Sequence, residues 1–463
     1  MKNIFVVLLT SILPSIVFSQ NKEQKFGIDF SGFVKNDFFW DSRQNVSLRE
    51  GHFLLYPSPV SADAEGNDIN AKSNFNFLSI QSRLTGKISG PDAFKAKTSG
   101  VIEADFFGNE NTNFSDVNGF RLRHAYAKLN WKKTELLFGQ TWHPMFIAGC
   151  YPGVVSFNTG SPFQPFSRNP QAKFTYKFGK INVVASANSQ RDFASPGGSS
   201  VTLRNSAIPE MHAQIIYGTK NDSLKKEFLI GIGGGYKTLV PRLYSEVITT
   251  PEKYILDTAT NTVTHTYAVT TKYKTDEKVG GYTAYGFMKY KIPALTFKLY
   301  GVYGQNLFDM TMLGGYAVCG ITDLQKDFKD YVSYNIFSTW AEIQTNGKRV
   351  QAGLFAGFTQ NRGADKKIIS YSLPAAIPVA SNPYPITTAA INRGADIKSI
   401  YRIAPRLIFI SEKFQFMTEL EYTSAAYATK NASGTLNRDE KGVITDADYV
   451  SNIRFLFAVQ YNF

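Results

Sequence analysis

The chain has 463 residues, of which 43% are hydrophobic, 14% aromatic and 19% charged, and its formal net charge is +13 at pH 7. With only two cysteines, Cys150 and Cys319, it cannot be a disulfide framework, although a single bridge between the two stays open. No run of about eighteen apolar residues follows residue 20, which excludes a transmembrane helix there. The positive charge suits anionic lipids, anionic solutes or nucleic acid as partners.

The beginning of the chain has the pattern of a secretory signal peptide. A short basic segment precedes an apolar run from Ile4 to Phe18, and small residues form a cleavage pattern before Gln20. A lone membrane anchor is the alternative, but the run is short for a membrane span. We therefore expect residues 1–20 to be cleaved and residues 21–463 to form one exported domain, for which nucleic acid is the least expected partner.

The rest of the chain alternates between apolar and polar residues with a period of two. The segment 171–178 alternates in this way, turns at Gly179-Lys180, and alternates again to residue 190, which predicts a hairpin. The final stretch, NIRFLFAVQYNF from Asn452 to Phe463, has the same pattern. Similar segments predict strands at 26–40, 74–89, 93–107, 119–131, 134–142, 171–178, 181–190, 210–218, 226–237, 279–292, 294–305, 331–344, 348–360, 396–411, 413–426 and 448–463.

The connections between these strands alternate strictly between long and short. An even number of strands, about sixteen, with long loops on one side and tight turns and both termini on the other is typical of an antiparallel outer-membrane β-barrel. Closure of the sheet pairs every backbone amide in hydrocarbon. A secreted β-sandwich also alternates, but its loops would not separate by length. The sequence therefore predicts an all-β transmembrane barrel with long extracellular loops and short periplasmic turns.

Residues for catalysis or metal binding form no recognisable motif. Neither cysteine belongs to a CxxC pair, and no nucleophile elbow or phosphate loop is present. The histidines are scattered without the spacing of a zinc site, at positions His52, His124, His143, His212 and His265. We expect no enzyme activity, no metal and no cofactor, and we expect His124 to face lipid or a neighbouring subunit.

The polar face of the predicted strands carries many basic residues and fewer acidic ones. If the apolar parity of each strand faces lipid, the polar parity lines the lumen. A confined array of guanidinium groups attracts anions and pairs with carboxylate or phosphate oxygens. The residues expected to line the pore and select anions are Lys35, Arg83, Arg121, Arg123, Arg402, Arg406 and Arg454.

Acidic residues on the same face are expected to brace these arginines. The strand register places Glu103 opposite Arg123 and Asp105 opposite Arg121. Near the end of the chain, the turn at Glu412 brings Glu419 and Glu421 close to Arg402 and Arg406. The alternative is that such pairs only satisfy charges that a water-lined wall carries in any case.

The third long loop, residues 143–170, is rich in glycine, proline and aromatic residues and has almost no charge apart from Arg168. That composition favours a segment packed on other protein over one exposed to solvent. We expect this loop to fold inward and narrow the pore, with Gln164 and Arg168 as its constriction residues.

Five segments in the first third of the chain, together with the terminal strand, resemble the DcaP-like family of outer-membrane porins. The segments are SGFVKNDFFWDSRQ (31–44), IQSRLTGKI (80–88), GVIEADFFGNE (100–110), FRLRHAYAKL (120–129) and LLFGQTW (136–142). The resemblance implies a sixteen-stranded barrel, a homotrimer, an inward-folded third loop and passive uptake of small anionic solutes such as dicarboxylates. Members of that family can carry a periplasmic coiled-coil segment before the barrel, which we do not expect here.

Two classes of function remain open from the sequence. One is a passive porin in the outer membrane of a Gram-negative bacterium, in contact with outer-membrane lipids and lipopolysaccharide. The other is a plugged barrel that acts as a surface adhesin or scaffold through its long loops, above all the Thr- and Tyr-rich loop 238–278. A barrel-embedded hydrolase is disfavoured because no Ser/His pair stands at a readable spacing.

Overall fold

The computed structural model describes residues 26–108, 119–193, 200–250, 252–369 and 390–463, so the predicted signal peptide lies outside the described residues. Within these ranges the chain is almost entirely β-strand, with one short α-helix at Val201–Arg204. In chain order the strands are β1 Gly27–Asp41, β2 Asn45–Leu48, β3 Phe53–Pro57, β4 Asn74–Leu78, β5 Arg83–Ser89, β6 Lys97–Asp105, β7 Arg121–Asn130, β8 Thr134–Trp142, β9 Arg168–Phe178, β10 Ile181–Asn188, β11 Glu210–Asn221, β12 Lys226–Leu239, β13 Tyr244–Thr250, β14 Lys253–Asp257, β15 Thr262–Thr266, β16 Val269–Lys274, β17 Val279–Lys291, β18 Leu295–Gln305, β19 Gly314–Asp323, β20 Phe328–Thr345, β21 Val350–Ala364, β22 Ala390–Arg393, β23 Ile397–Ser411, β24 Phe414–Ala428 and β25 Ala447–Asn462.

In the described part of the chain, antiparallel pairing closes the sheet into a barrel. The strand β1 pairs with β5 on one side and with β25 on the other, so the two ends of the chain complete the ring. The strands β4 and β5 both pair with β1 and together form the predicted strand 74–89, interrupted in its middle. The ring, which has sixteen members when β4 is counted with β5, runs β1, β5, β6, β7, β8, β9, β10, β11, β12, β17, β18, β20, β21, β23, β24 and β25. The predicted fold class is confirmed.

The alternation in sequence becomes an alternation in exposure along each barrel strand. In β25, Ile453 and Phe455 are 43% and 51% exposed, whereas Arg454 and Leu456 between and after them are fully buried. Successive side chains of a strand point to opposite faces, so one face is apolar and outward and the other is inward. A wide apolar exterior suits hydrocarbon and is rare on soluble monomers. None of the helices in the described ranges has the length and apolarity of a membrane-crossing helix.

The short connections are tight turns, as predicted. Phe178 pairs with Ile181 across the two-residue turn between β9 and β10. Gly179 occupies the first central position of this turn with φ +59°, in the left-handed region that glycine tolerates best. The turn between β23 and β24 places Glu412 in the same region at φ 53°.

A β-bulge in β7 changes the register that was predicted for the β6–β7 pair. Asp105 lies opposite Arg121 as expected, but Glu103 lies opposite His124, with Arg123 as the extra residue. A bulge redirects the side chains next to it. As a result both Arg123 and His124 are buried on the inner side, and the expectation that His124 faces lipid or a neighbouring subunit is wrong.

Three long loops pack against the inward face of the barrel. The first carries the β2–β3 hairpin, in which all five residues of β3 are buried. The second lies between β8 and β9, and the third lies between β18 and β19. A backbone hydrogen bond of 2.9 Å from Phe166 N to Met310 O connects the second loop to the third. Their apolar side chains form one continuous core with inward residues of the wall such as Trp340 and Phe355. The sequence did not predict the inward position of the first and third of these loops.

Other long loops extend away from the barrel. The connection between β12 and β17 contains two antiparallel hairpins, β13 with β16 and, between them in sequence, β14 with β15. Every residue of β14 is exposed. At the base of these hairpins Arg242 donates hydrogen bonds to Glu277 and Asp327. Burial alone would lower the pKa of Arg242, but these two carboxylates raise it above its usual value.

Candidate functional site

The loop between β8 and β9 is the segment that the sequence predicted to fold inward, and it spans residues 143–167. Because β9 begins at Arg168, that residue belongs to the wall and not to the loop. The Arg168 side chain is almost fully buried and donates to Asp192 Oδ2 at 2.8 Å. Gln164 is also buried and accepts a hydrogen bond of 2.6 Å from Trp340 Nε1. Gln164 therefore attaches the loop to the wall, and Arg168 fixes the start of β9, where the loop ends. Neither side chain is exposed to open water.

Carboxylates on the inner wall hold the backbone of this loop. Glu419 accepts hydrogen bonds from the amides of Val155 and Ser156, at 2.8 and 3.1 Å. Glu421 accepts a hydrogen bond of 2.8 Å from the side-chain amide of Asn158. Glu419 thus anchors the loop, whereas Glu421 anchors it and also pairs with Arg402 Nη1 at 3.6 Å, as predicted.

Arg406 is braced by an acid that the sequence reasoning did not single out. Its Nη1 donates to Glu342 Oε2 at 3.0 Å, although Glu419 is its neighbour in the strand register. Glu342 also receives hydrogen bonds from Lys298 Nζ at 2.8 Å and from the Gly153 amide at 2.6 Å. The sequence could have indicated that Glu342 faces inward, because it is two positions after Trp340 in the same strand and shares its parity.

Arg402 and Arg454 are buried clamps, which corrects the prediction that they line the pore. Arg402 donates to the carbonyl oxygens of Leu54, Leu55 and Ser161, so it links two inward loops to β23. Arg454 forms two hydrogen bonds with Asp41, at 2.6 and 2.9 Å, and reaches the Gly51 carbonyl at 2.7 Å. Their exposed fractions are 1% and 0%, so neither side chain contacts water in the passage.

A cluster of arginines and carboxylates lies where β6 ends and β7 begins. Arg121 and Arg123 both donate to Asp105, at 3.0 and 2.7 Å, and Arg123 also donates to Glu103 at 2.7 Å. These contacts agree with the predicted bracing of arginines by Glu103 and Asp105, despite the bulge. Asp192 joins the cluster from the following long loop, where the strand parity gave no reason to expect it.

A polar cavity of about 360 Å³ lies between the β8–β9 loop and the barrel wall. Its basic members are Lys35, Arg83 and Arg123, and no carboxylate is among the described residues that line it. Arg83 is the most accessible of the three, with 20% of its side chain exposed, and its Nε lies 3.5 Å from Oε1 of Glu103 in the neighbouring strand β6. Lys35 Nζ is held by Asp37 at 3.0 Å and by the Val155 carbonyl at 2.8 Å.

Aromatic rings complete the wall of this cavity. Trp142 stacks on Phe146 with ring centroids 3.8 Å apart, and Phe146 stacks on Tyr151. The guanidinium groups of Arg123 and Arg168 lie over the Trp142 ring, at 5.7 and 5.1 Å from its centroid. Such cation–π contacts orient a guanidinium group without neutralising its charge. The cavity therefore combines positive charge with rigid apolar surfaces.

Among the described residues, one group of histidine and carboxylate side chains has the spacing of metal ligands. It consists of His143, Glu210 and His212, whose ligand atoms lie within 4.8 Å of one another. The sequence spacing gave no sign of this group, because His143 comes from the inward loop and the other two residues from β11. The two cysteines are free: Cys150 belongs to the inward loop and is part of the core, and Cys319 lies in β19.

Comparison with solved structures shows which fold this is. The outer membrane channel DcaP of Acinetobacter baumannii matches with a TM-score of 0.61 and 14% identity, over 96% of this chain and 100% of that one. OmpT of Vibrio cholerae matches with a TM-score of 0.48 and 10% identity, over 96% and 99%, and OprB of Pseudomonas putida with 0.45 and 9%, over 94% of each chain. No protein-family model matches the chain, and a search of curated proteins found no match. The predicted resemblance to DcaP-like porins is confirmed for the fold.

Proposed function

We propose that this chain is an outer-membrane porin through which small hydrophilic solutes diffuse passively, with a preference for anions. The fold supports a channel, because the DcaP structure that it resembles is an outer membrane channel. The observation that carries the anion preference is the cavity between the β8–β9 loop and the barrel wall, where Lys35, Arg83 and Arg123 meet and no carboxylate lines the described wall. The carboxylates that pair with these three residues lie outside the lining of the cavity, so a solute in it meets basic groups first. In a confined passage of low dielectric constant, such groups attract anions and repel cations.

Arg83 is the residue to which we assign most of the selectivity. Arg123 and Lys35 are almost completely buried, so they act on a passing ion through their field more than through contact. Arg83 presents its guanidinium group to the cavity and keeps it oriented over the Phe33 ring, 5.1 Å from the centroid. Arg121 and Arg406 do not line this cavity, because Asp105 and Glu342 hold their guanidinium groups at 3.0 Å, and we assign no catalytic role to any residue.

The wider setting is part of the same proposal. The apolar exterior of the barrel suits outer-membrane lipids and lipopolysaccharide, and export would follow from the signal peptide at residues 1–20. We also propose that the chain assembles as a homotrimer in the outer membrane of a Gram-negative bacterium, with residues 21–463 as the mature protein.

Planar-bilayer recording tests the anion preference. In a potassium chloride gradient the purified protein should give a reversal potential on the anion-selective side. Arg83→Gln should lower the anion-to-cation permeability ratio about threefold, equivalent to roughly 0.7 kcal/mol. Arg349→Gln is the matched control, since Arg349 is exposed in a short turn away from the cavity. A cation-selective protein, or an Arg83→Gln ratio equal to that of the control, would contradict the proposal.

A second candidate function is a plugged barrel that serves as an adhesin or scaffold. It is favoured by the three loops that fill the barrel and by the exposed hairpins of β13 to β16. Liposome swelling separates the two functions. Liposomes that contain the open porin should swell in small sugars and small organic acids, whereas a plugged barrel would leave them unchanged.

A further inference from the structure

The group formed by His143, Glu210 and His212 lies at the junction between the inward loop and the barrel wall. His143 is the first residue after β8, so it opens the loop. Glu210 and His212 are two positions apart in β11, so both side chains point to the same, inward face. All three side chains are buried. A ligand bound here would connect the loop directly to the wall.

The geometry of the group fits a small divalent cation. Nε2 of His212 lies 2.8 Å from Glu210 Oε1, and Nε2 of His143 lies 3.5 Å from the same oxygen. Ligand atoms bound to one tetrahedral zinc ion lie about 3.4 Å apart. All three ligand atoms lie within 4.8 Å of one another, so they surround a space of the size that an ion needs. Two imidazoles with one carboxylate form a ligand set that zinc uses in proteins.

Unsatisfied polar atoms at this place point to a missing partner. His143 Nε2, one of the three atoms that face each other, and Glu210 Oε2, the second oxygen of the same carboxylate, have no hydrogen-bond partner among the described residues, although both are buried. Buried polar groups are almost always paired, with protein, water or an ion. The backbone also makes room for the ring of His212, because a Cβ added at Gly235 would lie 2.3 Å from it.

The charges around the group are compatible with a cation. Lys237 is the nearby basic residue, and its Nζ is paired with Asp309 Oδ1 at 2.8 Å, which compensates its charge. The amide of Met145 lies 3.3 Å from His143 Nδ1. If the ion binds Nε2 of His143, the proton of that ring lies on Nδ1. Nδ1 can then no longer accept a hydrogen bond, so the contact with the Met145 amide would be lost when the ion binds.

We propose that His143, Glu210 and His212 form a zinc site that ties the start of the inward loop to the wall strand β11. The fourth position of the tetrahedron is left for water. The ion would replace flexible contacts at the loop entrance with coordinate bonds, and it would reduce the movement of the loop in the passage. This inference does not depend on which solute the channel passes.

Zinc titration of the purified protein tests the site. After treatment with a chelator, the full-length protein in detergent should bind one zinc ion per chain by calorimetry. Cobalt in place of zinc should give the visible absorption of a tetrahedral ion. His143→Gln and His212→Gln should each weaken binding at least tenfold. His265→Gln is the matched control, because His265 is a partly exposed histidine in an outer hairpin, paired with Glu252.

Folding and function give independent readouts. Circular dichroism should show that the His143→Gln barrel is intact, since this residue lies outside the strands. Zinc should reduce current fluctuations of the unmodified channel and leave those of His143→Gln unchanged. Absence of stoichiometric binding, or equal binding by the His143→Gln, His212→Gln and His265→Gln variants, would overturn the site. Binding should also fall below about pH 6, because protons compete for the imidazole nitrogens.

Discussion

Replacing Arg402 by methionine should separate a structural role of this residue from a role in ion selection. The guanidinium group donates to the carbonyl oxygens of Leu54, Leu55 and Ser161, at 3.3, 2.9 and 2.8 Å, and to Thr423 Oγ1 at 2.7 Å. Methionine keeps most of the volume but removes every donor. Two inward loops therefore lose their shared attachment to β23 in one substitution.

The size of the effect follows from what is left behind. Removing one partner of a buried ion pair costs about 3–5 kcal/mol, because the other charge stays uncompensated. Here the remaining charge is Glu421, whose carboxylate lies 3.6 Å from Arg402 and keeps its hydrogen bond from Asn158. We therefore expect the lower end, about 3 kcal/mol. This corresponds to a roughly hundredfold increase in the population of the detached loops.

Hydrogen exchange and bilayer recording measure the two roles separately. Amide protection in 53–57 and 158–164 should fall about a hundredfold in Arg402→Met, and current fluctuations should increase, while the reversal potential stays close to that of the unmodified protein. Arg349→Met, in an exposed turn, should change neither. If Arg402→Met shifted the reversal potential and left amide protection intact, the residue would line the passage and our assignment would be refuted.

Two further predictions concern other attachments of the loops. Glu419→Gln should weaken the hold on the amides of Val155 and Ser156 and increase mean conductance, since glutamine offers one acceptor oxygen where the carboxyl group offers two, and a buried amide left without a partner costs about 1–3 kcal/mol; an unchanged conductance would argue against the anchor. In the outer part of the first loop, the amide of Ser61 holds the pKa of Asp68 below its usual value, so this contact stabilises the loop at neutral pH and is lost as the pH falls through the folded pKa, below about 4. The protection factor of the Ser61 amide, which is its exchange rate corrected for the intrinsic pH dependence, should fall there and stay constant between pH 5 and 8.

The barrel could be predicted from the sequence because its physics is repetitive. Each strand needs one face for lipid and one for the interior, so the alternation recurs along the chain, and the antiparallel order separates long loops from short turns. For this reason the predicted strands correspond to the observed ones within a few residues. The exceptions are local, such as the interruption between β4 and β5 and the bulge at Arg123. A bulge adds a residue without a distinctive sequence pattern, so its position was not predictable.

The filling of the barrel was predicted only in part. The loop between β8 and β9 lacks charge, and its composition indicated contact with other protein. The first long loop is more polar overall, and this obscured the run FLLYP at Phe53–Pro57. A short continuous apolar run is typical of a strand buried on both faces, which is what β3 is. That signal was present but was outweighed by the polar residues around it.

The candidate site shows why counting charges on one face overstates a pore wall. Strand parity tells which face a side chain is on, but not whether a loop covers it. Arg402 and Arg454 have the inward parity and are covered by the first loop, whereas Arg83 has the same parity and stays 20% exposed. The acids were undercounted as well, since Glu342 was overlooked and Asp192 lies in a loop. Because most inward charges are thus paired or covered, anion preference in this channel should depend on Arg83 more than on any other arginine.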